Sequence, residues 1–260
     1  MTYRTRSWIN IICFIMVLTV NYLANALPIN GVTQKELSAE YSIHITPAGY
    51  VFAIWGLIYT GLITYIILQA LGKWVEKNEI RVLDLPFALS CGCNALWLVV
   101  WHYRYLTVSV LVMLGLLGTV AMAYMRLQKV GAREKGRSLW IVQKTFGIYL
   151  GWVGLATILN ISIWLDALGW SGAPLSGSVW GAILLVIAAL IYLYWAFSNR
   201  DAAPLGVLAW ASLGIGIKNQ SDGLIWIVGL GVSIFCIVSL LTVVIRGRTH
   251  NTMETESLGA

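Results

Sequence analysis

The residues that carry the most chemical information lie on one face of a single apolar segment. Its members occupy positions i, i+3, i+7 and i+11: Tyr149, Trp152, Ala156 and Asn160. At about 100° per residue, these positions cover less than a quarter of a helix circumference. Such a face offers two aromatic rings, a small residue and an amide, which suit stacking and hydrogen bonding to a flat apolar molecule. An equally weighted alternative is that the amide only joins helices.

Another apolar segment carries a similar face, formed by Asn94, Trp97 and Trp101. Asparagine is costly within lipid, so it should face the interior of a helix bundle or a cavity. Trp152 and Trp210 fall in the middle of apolar segments, away from the membrane interfaces where tryptophan concentrates. A buried indole needs an acceptor for its N–H. These tryptophans therefore indicate either helix packing against a polar partner or the lining of a cavity.

The composition places these faces in a membrane. Hydrophobic residues make up 59% of the 260 residues and charged residues only 11%, whereas soluble chains carry roughly 25% charged residues. A water-soluble enzyme is thereby excluded, and so is a disordered chain. The net charge of +6 comes from basic residues in short loops between apolar runs. We therefore expect a lipid bilayer as partner and no nucleic acid.

Apolar runs and loop charges together predict the topology. Eight runs can be marked, most of them near the ~20 residues that a crossing helix needs: 8–28, 46–71, 83–101, 106–126, 140–165, 177–198, 203–217 and 223–245. Of the 17 Lys and Arg residues, 14 fall on one side, and the other three are Lys35, Arg104 and Lys218. By the positive-inside rule both termini are cytoplasmic. The sequence thus predicts an all-α, multi-pass integral protein of the plasma or inner membrane with eight spans.

Residues suited to catalysis or to metal binding are scarce. No carboxylate lies in the middle of a predicted span, and no phosphate loop, nucleophile elbow or metalloprotease motif is present. His44 and His102 flank spans and could ligate haem iron, although a lone loop histidine is more often solvated. We expect no catalytic residue, no metal site and no required cofactor. The four cysteines are interpreted as buried thiols.

Three motifs carry a resemblance to a known family. The second run opens with Thr46–Tyr59 (TPAGYVFAIWGLIY), the third contains NALW at 94–97, and the fifth contains YLGWVGLATILN at 149–160. Together they resemble the translocator protein / tryptophan-rich sensory protein family (TspO/MBR) over roughly residues 8–165. The chain departs from the family signature at Ala48, which replaces a proline, and at Tyr50, which replaces a tryptophan. The stretch that follows is also one residue short.

The resemblance implies a five-helix bundle around a ligand cavity that is covered by the loop between the first two helices. The ligand would be a planar tetrapyrrole such as a porphyrin or haem, or another small hydrophobic molecule. The ligand-binding residues would be Tyr50, Asn94, Trp97, Tyr149, Trp152, Ala156 and Asn160. The function implied is that of a membrane ligand-binding or sensor protein.

The domain organisation follows from the reach of this resemblance. We predict a TspO-like five-helix bundle at 8–165, an additional three-helix segment at 177–245 and a polar C-terminal tail at 246–260. The extra helices are expected to pack beside the bundle without lining the cavity.

Two other functions stay open: a small-molecule permease whose extra helices complete a pathway and, ranked last, a porphyrin-degrading enzyme. Gly147 and Gly151 have the spacing of either a homodimer contact or an internal helix contact.

Overall fold

The computed structural model describes residues 3–26, 29–33, 36–37, 40–41, 43–71, 83–131 and 136–259. Over these residues the chain is helical and has no strand, which confirms the all-α fold. The α-helices, in chain order, are α1 Tyr3–Ala26, α2 Ile54–Ala70, α3 Asp84–His102, α4 Leu106–Gly131, α5 Arg137–Ala167, α6 Gly177–Asn199, α7 Ala203–Lys218 and α8 Gly223–Gly259. Short 3₁₀ helices cover Ile29–Gly31 and Gly49–Ala53.

Seven helical segments within the described ranges are long and apolar enough to cross a membrane, so the chain is an integral multi-pass membrane protein. The exception among the apolar helices is α7. Its 16 residues span about 24 Å, against the ~30 Å of a bilayer core. The backbone of α8 stays helical through the predicted tail as far as Gly259. A crossing by α7 and the cytoplasmic position of both termini stay predictions, and Lys35 lies outside the described residues.

The chain divides into two compact units, the first of which comprises 1–43 and 52–171 and contains α1 to α5. In this unit α5 packs against α4 and α2, while α3 packs against α4 and α1. The helices α2 and α5 approach closely at Gly61, where an added Cβ would collide with the Thr145 side chain. Gly147 and Gly151 are both buried within the chain. Small residues thus serve close internal packing of the kind expected for helices in lipid.

A buried amide joins three helices of the first unit. Asn94 on α3 donates from Nδ2 to the hydroxyl of Tyr149 on α5 over 3.1 Å, and its Oδ1 accepts from Nδ2 of Asn21 on α1 over 3.3 Å. Asn94 is 1% exposed and Tyr149 is 2% exposed. Because both carbonyl and amino ends of Asn94 are used between helices, this asparagine acts as an interhelical link.

The second unit comprises 44–51 and 172–260 and contains α6 to α8. Its centre is α7, which packs against α8 and α6 and buries residues on most of its faces. The helices α7 and α8 meet at Gly229, where an added Cβ would lie 2.9 Å from the carbonyl oxygen of Ser212 and 3.0 Å from Cα of Gly216. Ser233 on α8 also donates to the carbonyl of Ala209 on α7 over 2.9 Å. A helix that is apolar on all sides is typical of a buried position or a membrane span, and the neighbours of α7 bury most of its residues.

Candidate ligand cavity

The first unit contains a cavity of about 50 Å³ whose walls are almost entirely apolar and aromatic. Helices α2 to α5 and the 3₁₀ helix before α2 supply the wall. The lining residues are Phe52, Trp55, Trp97, Trp101, Met113, Leu116, Trp152, Val153, Ala156, Leu159, Asn160 and Ile163. Three of the four helices that line the cavity, α2, α3 and α5, therefore carry the sequence motifs.

Helical spacing brings the aromatic rings to this wall. Trp97 and Trp101 are one turn apart on α3 and lie nearly parallel, with centroids 6.0 Å apart and 16° between planes. From the other side Trp152 of α5 meets Trp55 edge-on, with centroids 6.3 Å apart, and meets Phe52 edge-on at 5.8 Å. The resulting wall presents both ring faces and ring edges, the two surfaces that flat aromatic molecules use for stacking and for T-shaped contact.

The polar groups at the cavity are mainly hydrogen-bond donors. The indole nitrogens of Trp97 and Trp152 are buried and have no hydrogen-bond partner among the described residues, and the two side chains are 7% and 2% exposed. The third polar residue is Asn160, whose Oδ1 accepts from the Ser109 hydroxyl over 3.0 Å. The Asn160 oxygen makes no hydrogen bond to either indole N–H, so both donors are without an acceptor in the described structure. A molecule that enters this space with an acceptor oxygen or nitrogen would supply one.

The volume limits what fits without movement. Since a water molecule occupies ~30 Å³ in the liquid, a cavity of about 50 Å³ has room for one or two waters. A tetrapyrrole is many times larger. Binding of a ligand of that size therefore requires the aromatic side chains of the wall to move apart. The segments that hold those side chains in place must then move as well.

The loop between α1 and α2 contacts one end of this region. Tyr41 packs on Trp101 with ring centroids 5.6 Å apart. Next to it, Glu40 accepts a bidentate pair from Arg104, with contacts of 2.7 Å from Nη2 and 3.1 Å from Nε. Through Tyr41, this loop thus reaches a residue of the cavity wall, as the resemblance leads one to expect of a covering loop.

Comparison with known proteins identifies the family of the chain. Residues 7–245 match the sequence model of the TSPO-like protein family. The chain belongs to the TSPO-like protein family. Membership supports a membrane ligand-binding or sensor-type protein in general. The match extends past the motif-bearing residues 8–165, so the family model also covers α6 and α7 and the apolar part of α8 in this TSPO-like protein. Neither the curated proteins nor the solved structures contain a match.

The structure brings four of the seven predicted ligand-binding residues of this TSPO-like protein together. Trp97, Trp152, Ala156 and Asn160 line the same cavity. Asn94 and Tyr149 are bonded to each other instead, and the Tyr149 ring supports the wall by contacting Trp55 with centroids 6.0 Å apart. The role of all seven predicted residues in ligand binding stays a prediction.

Tyr50 contacts residues outside the cavity wall. It belongs to the second unit, where its ring meets Trp210 edge-on with centroids 5.1 Å apart, and it is not among the residues that line the cavity. The physical reason is that the residues around Tyr50 form no α-helix before Ile54, so helical spacing does not govern its direction. The partner of Tyr50 comes from distant sequence.

Three aromatic residues of the wall were not among the predicted ligand-binding residues: Phe52, Trp55 and Trp101. A signal for each was present. Trp101 follows Trp97 by one helical turn on the face already identified, and Phe52 and Trp55 are three residues apart within the motif of the second run. The apolar residues of α4 that complete the wall, Met113 and Leu116, have no distinguishing sequence pattern.

Neither histidine singled out in the sequence lines the cavity of the TSPO-like protein. His102 is buried, and its Nδ1 donates to the carbonyl of Leu98 over 2.7 Å. His44 belongs to the second unit, where Nδ1 lies 3.0 Å from a carboxylate oxygen of Asp222. In the described part of the chain, no three His, Cys, Asp or Glu residues form a group that could hold a metal ion.

Proposed function

We propose that this TSPO-like protein is a membrane sensor that binds a planar, largely apolar ligand of the porphyrin class in the cavity of its first unit. The observation that carries the proposal is the wall itself. Four of its residues are tryptophans, namely Trp55, Trp97, Trp101 and Trp152, and two of them hold buried N–H groups without an acceptor in the described structure.

The energetic argument concerns those two donors. A buried polar group left without a partner costs about 1–3 kcal/mol, and Trp97 and Trp152 both carry such a group. A ligand with a carbonyl, a carboxylate or a ring nitrogen as acceptor would remove this cost while stacking on the rings. Propionate-bearing tetrapyrroles combine a flat apolar body with such acceptors. The cavity therefore favours this class over a purely hydrocarbon ligand.

The chemistry of the wall also bears on the rival functions. Among the residues that line the cavity, none is an Asp, a Glu, a His or a Lys, so a bound ligand has no side chain of this wall for acid–base catalysis. This supports a binding role over a porphyrin-degrading enzyme. A permease would instead carry a net flux of the ligand across the membrane. Flux assays in proteoliposomes distinguish this role from sensing.

Titration of the purified full-length protein with protoporphyrin IX tests the proposal, with tryptophan fluorescence as readout. We expect saturable quenching that Trp152→Ala weakens, since stacking on an aromatic is worth about 0.5–1.5 kcal/mol beyond area burial. The matched control is Trp140→Ala, because the Trp140 side chain is 58% exposed. Equal affinity of the wild type and a folded Trp152→Ala protein would contradict ligand binding in this cavity.

A further inference from the structure

The segment 44–51 precedes α2 in the chain but is bonded to α7, about 160 residues later. The amide N–H of Ala48 donates to the carbonyl of Gly214 over 3.1 Å. The indole Nε1 of Trp210 donates to the carbonyl of Val51 over 3.1 Å. Both a donor and an acceptor of the segment backbone are thus used by α7. These bonds fix the height and the rotation of the segment along that helix.

Side chains reinforce this attachment. Val51 is 0% exposed and lies directly over Gly214, where an added Cβ would collide with a Val51 methyl group. Tyr50 meets the Trp210 ring edge-on with centroids 5.1 Å apart. Trp210 therefore makes two contacts with consecutive residues of the segment, one through its ring and one through its N–H.

The other end of the segment is held by polar groups at the starts of α6 and α8. Nδ1 of His44 lies 3.0 Å from Oδ2 of Asp222, and the Ser178 hydroxyl donates to the same oxygen over 2.5 Å. Oδ1 of Asp222 accepts from the backbone N–H of Ile225 over 3.3 Å and so caps α8. The Ser178 hydrogen bond, followed by the α8 cap and His44, lowers the pKa of Asp222. The segment is attached at both ends to the C-terminal helices.

The segment continues without a break into the cavity wall. One 3₁₀ helix covers Gly49–Ala53 and passes into α2 at Ile54. Val51 belongs to the second unit, and the next residue, Phe52, lines the cavity together with Trp55. Because Val51 and Phe52 are consecutive residues of this one 3₁₀ helix, a displacement of Val51 shifts the helical turn that also carries Phe52. No side-chain contact between the units is needed for this coupling.

We infer that the three C-terminal helices regulate the ligand cavity by holding the segment 44–51, and that Trp210 is the positioning residue that sets the place of Phe52 and Trp55. The effect on ligand affinity rests on the function proposed above. The positional effect does not, because it concerns the order of the backbone in the absence of ligand. When the segment is released, the wall at Phe52 and Trp55 is released with it.

Hydrogen–deuterium exchange of the full-length protein in nanodiscs tests the positional effect. Trp210→Phe keeps a ring beside Tyr50 but removes the N–H that bonds Val51. We expect exchange to rise by about three- to tenfold in peptides that cover 44–51, and also in peptides that cover 52–55. The matched control is Trp226→Phe, in the same unit, where the ring lies beside Gly216; it should leave both peptides unchanged.

A second variant acts by steric displacement instead of bond loss. Gly214→Ala places a methyl group against the side chain of Val51, whereas Gly206→Ala on the same helix meets Leu240 at an ordinary 3.4 Å. We expect faster exchange at 52–55 in Gly214→Ala and not in Gly206→Ala. The double variant Gly214→Ala/Val51→Ala should restore slow exchange, because the added methyl lies 3.6 Å from Cβ of Val51.

The outcomes separate the inference from the proposed function. Faster exchange at 44–51 with unchanged exchange at 52–55 would overturn the inference, and so would no change at 44–51 in either variant. Titration with protoporphyrin IX is then read on the same samples. If the wild type does not bind it, the proposed function fails, while the exchange at 52–55 still decides whether the C-terminal unit orders the wall. If it binds, we expect Trp210→Phe to change the affinity by about two- to tenfold.

Discussion

The unpartnered indole N–H of Trp152 leads to a prediction with opposite signs in the empty and ligand-bound protein. Trp152→Phe keeps an aromatic ring against Phe52 and Trp55 and deletes the N–H that has no partner in the described structure. In the empty protein, loss of that group relieves about 1–3 kcal/mol. Reduced packing from the smaller ring acts in the other direction by a similar amount. We therefore expect the stability of the empty protein to change by less than about 1 kcal/mol.

In the ligand-bound protein the same change removes a hydrogen bond. The net value of such a bond is about 0.5–1.5 kcal/mol, so affinity for an acceptor-bearing ligand should fall by about two- to twelvefold. The assay pairs thermal unfolding of the empty protein with calorimetric titration of protoporphyrin IX. Trp101→Phe is the matched control, since Trp101 also lines the cavity but its nitrogen is not among the buried unpartnered atoms.

Two results would refute this reasoning. A loss of more than about 3 kcal/mol in the empty protein would show that the Trp152 N–H already has a partner. Unchanged affinity in a variant of normal stability would show that the ligand places no acceptor at this position. Either result would return Trp152 to a purely structural role in the packing of α5.

The remaining predictions concern packing, pH and topology. Gly61→Ala should destabilise the first unit by about 1–3 kcal/mol through overpacking, and Thr145→Ala in the same chain should restore part of the loss in thermal unfolding. Asn94→Leu should cost about 1–3 kcal/mol by leaving buried partners unbonded, and unchanged unfolding would contradict its role as a link. Because the pKa of Asp222 is lowered, its contribution is present above the ordinary aspartate range and is lost as pH falls through the lowered pKa; exchange at 44–51 should rise only in that acidic range. Reporter fusions at the C-terminus should be active in the cytoplasm and fusions after Lys218 outside, and a cytoplasmic report at Lys218 would contradict a crossing by α7.

Helical spacing predicted most of what lies within a single helix. Trp152, Ala156 and Asn160 share one face because 3.6 residues make one turn, and the structure places all three at the cavity. The same rule could not decide between cavity and interhelical link for the asparagines. Asn94 proves to be a link and Asn160 serves both purposes, since it bonds Ser109 and also lines the cavity.

The part that was not predictable depends on tertiary contacts. Trp210 was recognised in the sequence as a mid-span indole that needs an acceptor, but the acceptor is the backbone carbonyl of Val51. A backbone carbonyl carries no signature in sequence. Tyr50 was assigned to the ligand on the strength of its motif, and its ring lies against Trp210. Residue spacing predicts which side chains share a face of one helix. It does not predict contacts between a segment and a helix that is distant in the sequence.

The attachment of segment 44–51 to α7 also has a consequence for biosynthesis. The Trp210 donor and its Val51 acceptor are separated by 159 positions in the chain. At roughly 5–20 residues per second, translation delivers the donor about 8–30 s after the acceptor. During that interval α1 to α5 can enter the membrane while the lead-in to α2 still lacks its permanent partners. Segment 44–51 can therefore form its hydrogen bonds to Trp210 and Gly214 only after α7 has been synthesised.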